Sequence, residues 1–318
     1  VGSHRRIAKP CARIFVLGRI CAVPTATDLS FRVGEEQFLA MGGCPNRLCL
    51  ILWLLLAGVQ LTAANFRQAR YILSNWNGRK PTKYHSQFGE DLLVETLFFK
   101  NTYGGFFVEL GGFDGKTFSN SLYLEKNRKW KGILLEGHPK NFRQLVKNRP
   151  GAVCINRAIC SNPAGTIEFV GDGSLVSGVR ESMSDSYLKK FHSNLEKEPT
   201  FTVKCGPMGQ FLNDLGVPRI DFFSIDVEGA EHEVLSTMDW SIPVRVLVIE
   251  MDGSDMKKDK INHNFLLEKG FKVVKNWKLK NTGVYLNTTY VPSPADAMQR
   301  DNEAVFSRFR ELKQELGG

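Results

Sequence analysis

A chain of 318 residues has room for one large domain or two small ones. With 42% hydrophobic and 24% charged residues it has ordinary globular composition, which excludes disorder along its whole length. Part of the net charge of +9 comes from the first segment, where Arg5, Arg6, Lys9, Arg13, Arg19, Arg32 and Arg47 outnumber Asp28, Glu35 and Glu36; the rest is spread along the chain, and Lys189-Lys190 and Lys257-Lys258 are short and flanked by acids. They read as solvated faces, not as the basic stripe with interleaved aromatics of a nucleic-acid interface, so no nucleic-acid partner is expected.

Residues 1–40 show no clear periodicity and read as an unfolded or non-native leader. Residues 41–64 read as a signal peptide or signal anchor: Arg47 precedes an uncharged, Leu-rich run at 48–64 that ends in Ala63-Ala64. The run is a little short of the roughly 20 residues of a membrane span. Cleaved or kept as a membrane anchor, it would send the chain into the secretory pathway; a buried core helix is the alternative. Residues 65–85 form a linker or stem, 86–292 the folded domain and 293–318 an amphipathic tail helix.

Within the domain, Ser86 is expected to cap a helix with Glu90 and Asp91 in its first turn. A strand follows at 106–110, a helix at 119–126, a strand at 132–136 and a helix from Pro139 to Lys147. Strands are expected at 152–159 and 165–170, then an irregular insertion or lid at 171–198. A helix at 208–215, a strand at 220–226, a helix at 230–238 and a strand at 244–250 come next. A helix at 263–269 and strands at 271–276 and 284–287 close the domain. Unbroken apolar strands alternating with helices predict an α/β, doubly wound, mostly parallel sheet. In the tail, Ser293 is the expected cap, and Val305, Phe309, Leu312 and Leu316 form one apolar stripe.

Two constellations carry chemistry. In Glu109-Leu110-Gly111-Gly112-Phe113-Asp114-Gly115 a strand runs into a glycine loop, which lets the backbone approach a ligand closely. Glu136 ends the next strand at the spacing of an acid that grips a ribose. Phe113 stands where a dinucleotide site needs its second glycine, and Glu109 would repel a pyrophosphate but suits the cationic methionine end of S-adenosylmethionine. Ser119 and Asn120, where the next helix should start, are expected at the carboxylate end of that donor. The second constellation is Asp226-Val227-Glu228-Gly229-Ala230-Glu231, at the carboxyl end of a strand, where open α/β sheets bind ligands. Asp226, Glu228 and Glu231 can hold a hard cation, serve as a general base, or cap the following helix; no residue is assigned to a metal.

The cysteines of the domain are Cys154, Cys160 and Cys205, whose spacing fits no zinc motif. Two readings stay open: three buried thiols, or one disulfide in an oxidising compartment. Asn287-Thr288-Thr289 is an N-glycosylation sequon, which matters only in the secretory pathway.

Residues 86–287 resemble the FkbM-type methyltransferases. The resemblance is carried by Ile225-Asp226-Val227-Glu228-Gly229-Ala230-Glu231 with Val234-Leu235. It is carried also by Phe107-Val108-Glu109-Leu110-Gly111-Gly112-Phe113-Asp114-Gly115, Leu135-Glu136-Gly137-His138-Pro139, Ser86-Gln87-Phe88-Gly89-Glu90-Asp91 and Ile249-Glu250. It implies a class I methyltransferase (Rossmann-like) fold, with a seven-stranded sheet and an antiparallel closing strand. It also implies S-adenosylmethionine as donor and O-methylation of a small-molecule or glycan acceptor such as a sugar. On this reading Glu109, Gly111, Gly112, Asp114, Gly115, Ser119, Asn120 and Glu136 hold the donor. Asp226 is the first candidate for the catalytic base, with Glu228, His232 and Glu250 behind it. His138 is expected to cap a helix. A non-catalytic binding or trafficking protein on the same fold is the competing reading. An N-methyltransferase is weaker, because the fourth core strand lacks an Asn/Asp-Pro-Pro-aromatic run.

Overall fold

The computed structural model describes residues 83–315 except 163, 193, 252, 254, 275–278 and 293. The leader, the apolar run at 48–64, most of the linker, Ser293 and Leu316 lie outside the described residues.

Phe106–Leu110 (β1) shows how the sheet is built. Phe106, Val108 and Leu110 enter one buried cluster and Phe107 the other, because successive strand side chains point to opposite faces. A strand covered on both faces must be apolar nearly throughout; its one charged residue, Glu109, is buried and needs partners.

The chain runs Glu90–Leu97 (α1), β1, Leu122–Arg128 (α2), Lys131–Leu135 (β2), Pro139–Asn148 (α3) and Val153–Ile155 (β3). It continues through Ala158–Ile159 (β4), Thr166–Val170 (β5), Gly178–Val179 (β6), Asp185–Phe191 (α4), Thr200–Gly206 (β7) and Met208–Asp214 (α5). Ile220–Ile225 (β8), Glu231–Thr237 (α6), Val244–Glu250 (β9), Met256–Glu268 (α7), Phe271–Val273 (β10), Thr282–Asn287 (β11) and Ala295–Glu315 (α8) complete it. The large sheet has seven strands in the order β10-β11-β9-β8-β1-β2-β3. Neighbours from β9 to β3 are parallel, and β11 is inserted antiparallel between β9 and β10. This is the doubly wound α/β class I arrangement with its antiparallel closing strand. One face packs on Met208, Leu212, Val234, Leu235 and Val305, the other on Leu92, Leu93, Tyr123, Leu124 and Leu145. Phe309 and Leu312 of α8 pack against the first of these clusters. Among the described residues no helix is long and apolar enough to cross a membrane.

Local chemistry moves several expected boundaries. Ser86 is not the N-cap residue of α1, which is Gly89 in a left-handed conformation (φ 98°), yet its hydroxyl donates to the Asp91 carboxylate at 2.5 Å and accepts from Asp91 N in the first turn at 3.3 Å. The strand expected at 152–159 breaks in two, β3 in the large sheet and β4 in a second, four-stranded sheet ordered β4-β7-β5-β6. β7 falls outside the expected elements, although its alternation of Phe201, Val203 and Cys205 is a period-2 signal. The region 171–198 is not wholly irregular, since it holds β6, α4 and two 3-10 turns. α7 begins at Met256, seven residues before the expected start, because Asp255 accepts from the backbone N–H of Lys257 and Lys258. Cys160 and Cys205 are disulfide-bonded, joining β4 to β7, whereas Cys154 is a free thiol that burial pushes up to about 12.

Candidate active site

The carboxyl ends of β1, β2, β8 and β9 open into one cavity of about 350 Å³. Its lining includes Glu109, Gly111, Ser119, Asn120 and Glu136 on one side and Asp226, Glu228 and Glu250 on the other. Gly111 has φ 75°, and a Cβ there would lie 1.8 Å from the carbonyl oxygen of Asp226. Only glycine lets the β1 loop lie against the tip of β8.

Glu109 is held from behind. Its carboxylate accepts hydrogen bonds from Ser119 Oγ at 2.9 Å, Asn120 N at 2.8 Å and Ser121 Oγ. Arg149, fully buried, lies 3.7 Å from it and 2.6 Å from Glu125, and also donates to Ser119 Oγ, Ser121 Oγ and Gly115 O. Glu109 therefore organises the 119–121 segment. That segment turns Asn120 into the cavity, where its Nδ2 donates to Ser224 Oγ at 3.0 Å and its buried Oδ1 has no partner among the described residues.

Glu136 accepts from Phe113 N at 2.8 Å and from His138 N at 2.7 Å. Burial still raises its carboxyl to about 7. Each oxygen keeps a second lone pair for a ribose hydroxyl. His138 caps α3 through the Lys140 N–H, and burial lowers its pKa.

Three predicted donor residues stand outside the cavity lining. Asp114 folds its own turn by accepting from Lys116 N, Thr117 N and Thr117 Oγ1. Gly112 and Gly115 face Leu145 and Arg149, so they serve the close approach of the α3 end to the loop.

On the far side, Asp226, Glu228 and Glu250 each place an oxygen within 4.8 Å of the others, close enough for three oxygens to hold a hard cation. Glu228 sits at φ 54° and accepts from the hydroxyl of Tyr187 on α4. Burial and the neighbouring Glu231 raise Asp226 to about 7. Burial together with Asp226 and Glu228 holds Glu250 far above the usual carboxylate range. Glu231 turns away and accepts from the backbone N–H of Val227 and Gly229, closing the loop ahead of α6. His232 is not brought to the cavity: it bonds Asn262 at 3.1 Å and packs edge-on to Phe265.

Several contributors carried no sequence signal, because each acts across space. Arg149 is one; Tyr187, Lys190 and Phe191 from the insertion, and Phe169 from the second sheet, also line the cavity. Lys258 joins the insertion to the β8 loop by donating to the carbonyls of Ser182 and Gly229.

The donor half fits S-adenosylmethionine by its chemistry. The orphaned Asn120 Oδ1 suits an ammonium, the spare lone pairs of Glu136 suit a ribose, and Ala158, Ile159 and Phe169 supply an apolar wall for a purine.

Similar solved structures include fibrillarin from Aeropyrum pernix with natively bound S-adenosyl-L-methionine, at 14% identity over 64% of this chain and 75% of that one, TM-score 0.33. A TehB-like methyltransferase from Corynebacterium glutamicum is 11% identical over 71% and 98%, TM-score 0.33. A methyltransferase from Aquifex aeolicus is 10% identical over 67% and 95%, TM-score 0.35. No curated protein matches the chain. The model of the methyltransferase FkbM domain matches residues 109–273, just over half of the chain. That match takes in the glycine loop, Glu136 and the carboxylate cluster, and the chain belongs to the FkbM methyltransferase domain family.

Proposed function

We propose that this methyltransferase transfers the methyl group of S-adenosylmethionine to a hydroxyl of a sugar or other small metabolite within the secretory pathway. The bound donor supplies an electrophilic methyl on a sulfonium. The residues of the chain must position that methyl against an oxygen and take up the proton the oxygen releases.

One observation carries the reading. Asp226 lies where the two halves of the cavity meet, its backbone against Gly111 and its carboxyl beside Glu228 and Glu250. A carboxylate raised to about 7 is matched to general-base work near neutrality. Glu250 lies within reach of Asp226 and, with its carboxyl raised far above the usual range, can donate to it and fix its orientation. Asp226, when ionised, accepts hydrogen bonds and donates none, so it suits an acceptor that offers a hydroxyl donor. Phe88, Phe118 and Phe191 line the same space and give such an acceptor apolar surface to lie on. The Cys160–Cys205 disulfide supports an oxidising compartment, in keeping with the signal-like residues 41–64.

The test is calorimetric titration of S-adenosylmethionine into the purified chain and its Glu136→Ala variant, then methyl transfer from labelled donor to hydroxylated sugars. Binding lost in the variant, with transfer to a hydroxyl, is the expected result. A folded chain that binds no donor would replace this reading with that of a non-catalytic binding protein.

A further inference from the structure

Asn287-Thr288-Thr289 is the single Asn-x-Ser/Thr sequence among the 318 residues, and neither half of the cavity uses it. β11 runs antiparallel to β9, so Thr282 pairs with Glu250 at the cavity edge of the sheet and Leu286 pairs with Val246 toward the other edge. Asn287 ends the strand opposite Phe271. At about 3.4 Å per residue it stands roughly 17 Å along the strand from Thr282. The chain leaves the sheet there: Asn287 and Thr288 are part-exposed, Thr289 is exposed, and Val291 is 83% exposed. Asn287 Oδ1 accepts from Thr289 N at 2.9 Å and Thr289 Oγ1 at 2.8 Å. Its Nδ2 donates to no described residue.

We propose that Asn287 is an N-glycosylation site. The inference rests on the secretory half of the proposed function and is independent of methyl transfer. The co-reactant is an oligosaccharide linked to a polyprenyl diphosphate. A bond forms between Asn287 Nδ2 and the anomeric carbon as the bond from that carbon to the diphosphate oxygen breaks. The diphosphate leaves with the bonding pair, and the amide nitrogen gives up one proton. Oδ1 is not consumed, so its two bonds to Thr289 persist in the modified, folded chain. The glycan then leaves from the edge of the sheet opposite the cavity and does not compete with donor or acceptor.

The experiment is translation of the full chain in the presence of endoplasmic-reticulum microsomes. Two readouts are taken: a glycosidase-sensitive step in gel mobility, and protection of the domain from added protease. We expect a single step that Thr289→Ser retains and that Asn287→Gln and Thr289→Ala lose, with all four chains equally protected. A protected wild-type chain without the step overturns the glycosylation site alone. A chain left outside and digested overturns the site and the secretory reading together. A step that survives Asn287→Gln overturns the assignment to this residue.

Discussion

Gly111 and Asp226 meet backbone to backbone, so closely that a single methyl group on Gly111 would lie 1.8 Å from the Asp226 carbonyl oxygen. The donor loop and the strand tip that carries Asp226 thus lie directly against each other. Gly111→Ala forces the two apart and also imposes a left-handed conformation on a side-chain-bearing residue. Overpacking and the strained φ together should cost on the order of 3 kcal/mol. Thermal melting should show the loss, and calorimetry should show weaker donor binding; a variant with wild-type melting and affinity would refute the close contact.

Arg149 is the counter-charge to the buried Glu109 and also bonds Glu125, Ser119 and Ser121. Arg149→Met keeps most of the volume but strands Glu109 in the core. Removing one partner of a buried pair should destabilise the fold by about 3–5 kcal/mol. Urea unfolding measures this directly. A change below about 1 kcal/mol, the range of exposed pairs, would mean that Glu109 is adequately held by hydroxyls alone.

Asp226 should act on turnover and leave donor binding nearly intact. Asp226→Asn is expected to lower the methyl-transfer rate by roughly 10²–10⁴-fold, the usual worth of a general base. Because burial and Glu231 raise Asp226 to about 7 and it must be ionised to accept a proton, wild-type activity should fall as pH drops below about 7. Glu250→Gln keeps a neutral donor beside Asp226 and should preserve that profile, whereas Glu250→Ala should displace it. Steady-state rates from pH 5 to 9 distinguish these outcomes. A flat profile would remove Asp226 from the chemistry, and lost donor affinity in Asp226→Asn would make it a donor ligand.

Glu136 makes stability depend on pH in a defined direction. Its carboxyl is raised from 4.5 to about 7 by burial, so the folded state holds the proton more tightly than the unfolded chain. This contribution is complete below about 4.5 and is lost as pH rises through about 7, a difference of about 3 kcal/mol. Asp226 acts in the same sense. The donor-free protein should therefore have a lower urea midpoint at pH 8 than at pH 5.5, with a smaller difference in Glu136→Ala. A midpoint that rises over this interval would contradict the burial of Glu136.

The sequence by itself determined the layered architecture, because its signals are local. Runs such as Phe106–Leu110, Ile220–Ile225 and Val244–Glu250 are apolar almost throughout, which is tolerable only for strands covered on both faces. The acids that end those strands, Glu109, Glu136, Asp226 and Glu250, could be picked out because a charge closing an apolar run must stand at the edge of the sheet. Only the tertiary structure decided what each acid does. Glu109 became the anchor of a loop because Arg149, 40 residues away, sits behind it. Glu231 closes a loop, while Glu250 joins Asp226 because β9 lies beside β8. His232 fell on the α6 face toward α7, beside Asn262 and Phe265. The second sheet and the insertion, with Phe169 and Tyr187, reached the cavity by pairings that no residue periodicity encodes. Periodicity reports which face of an element is covered, whereas convergence of side chains depends on strand order and crossover, and those are settled only when the whole core packs.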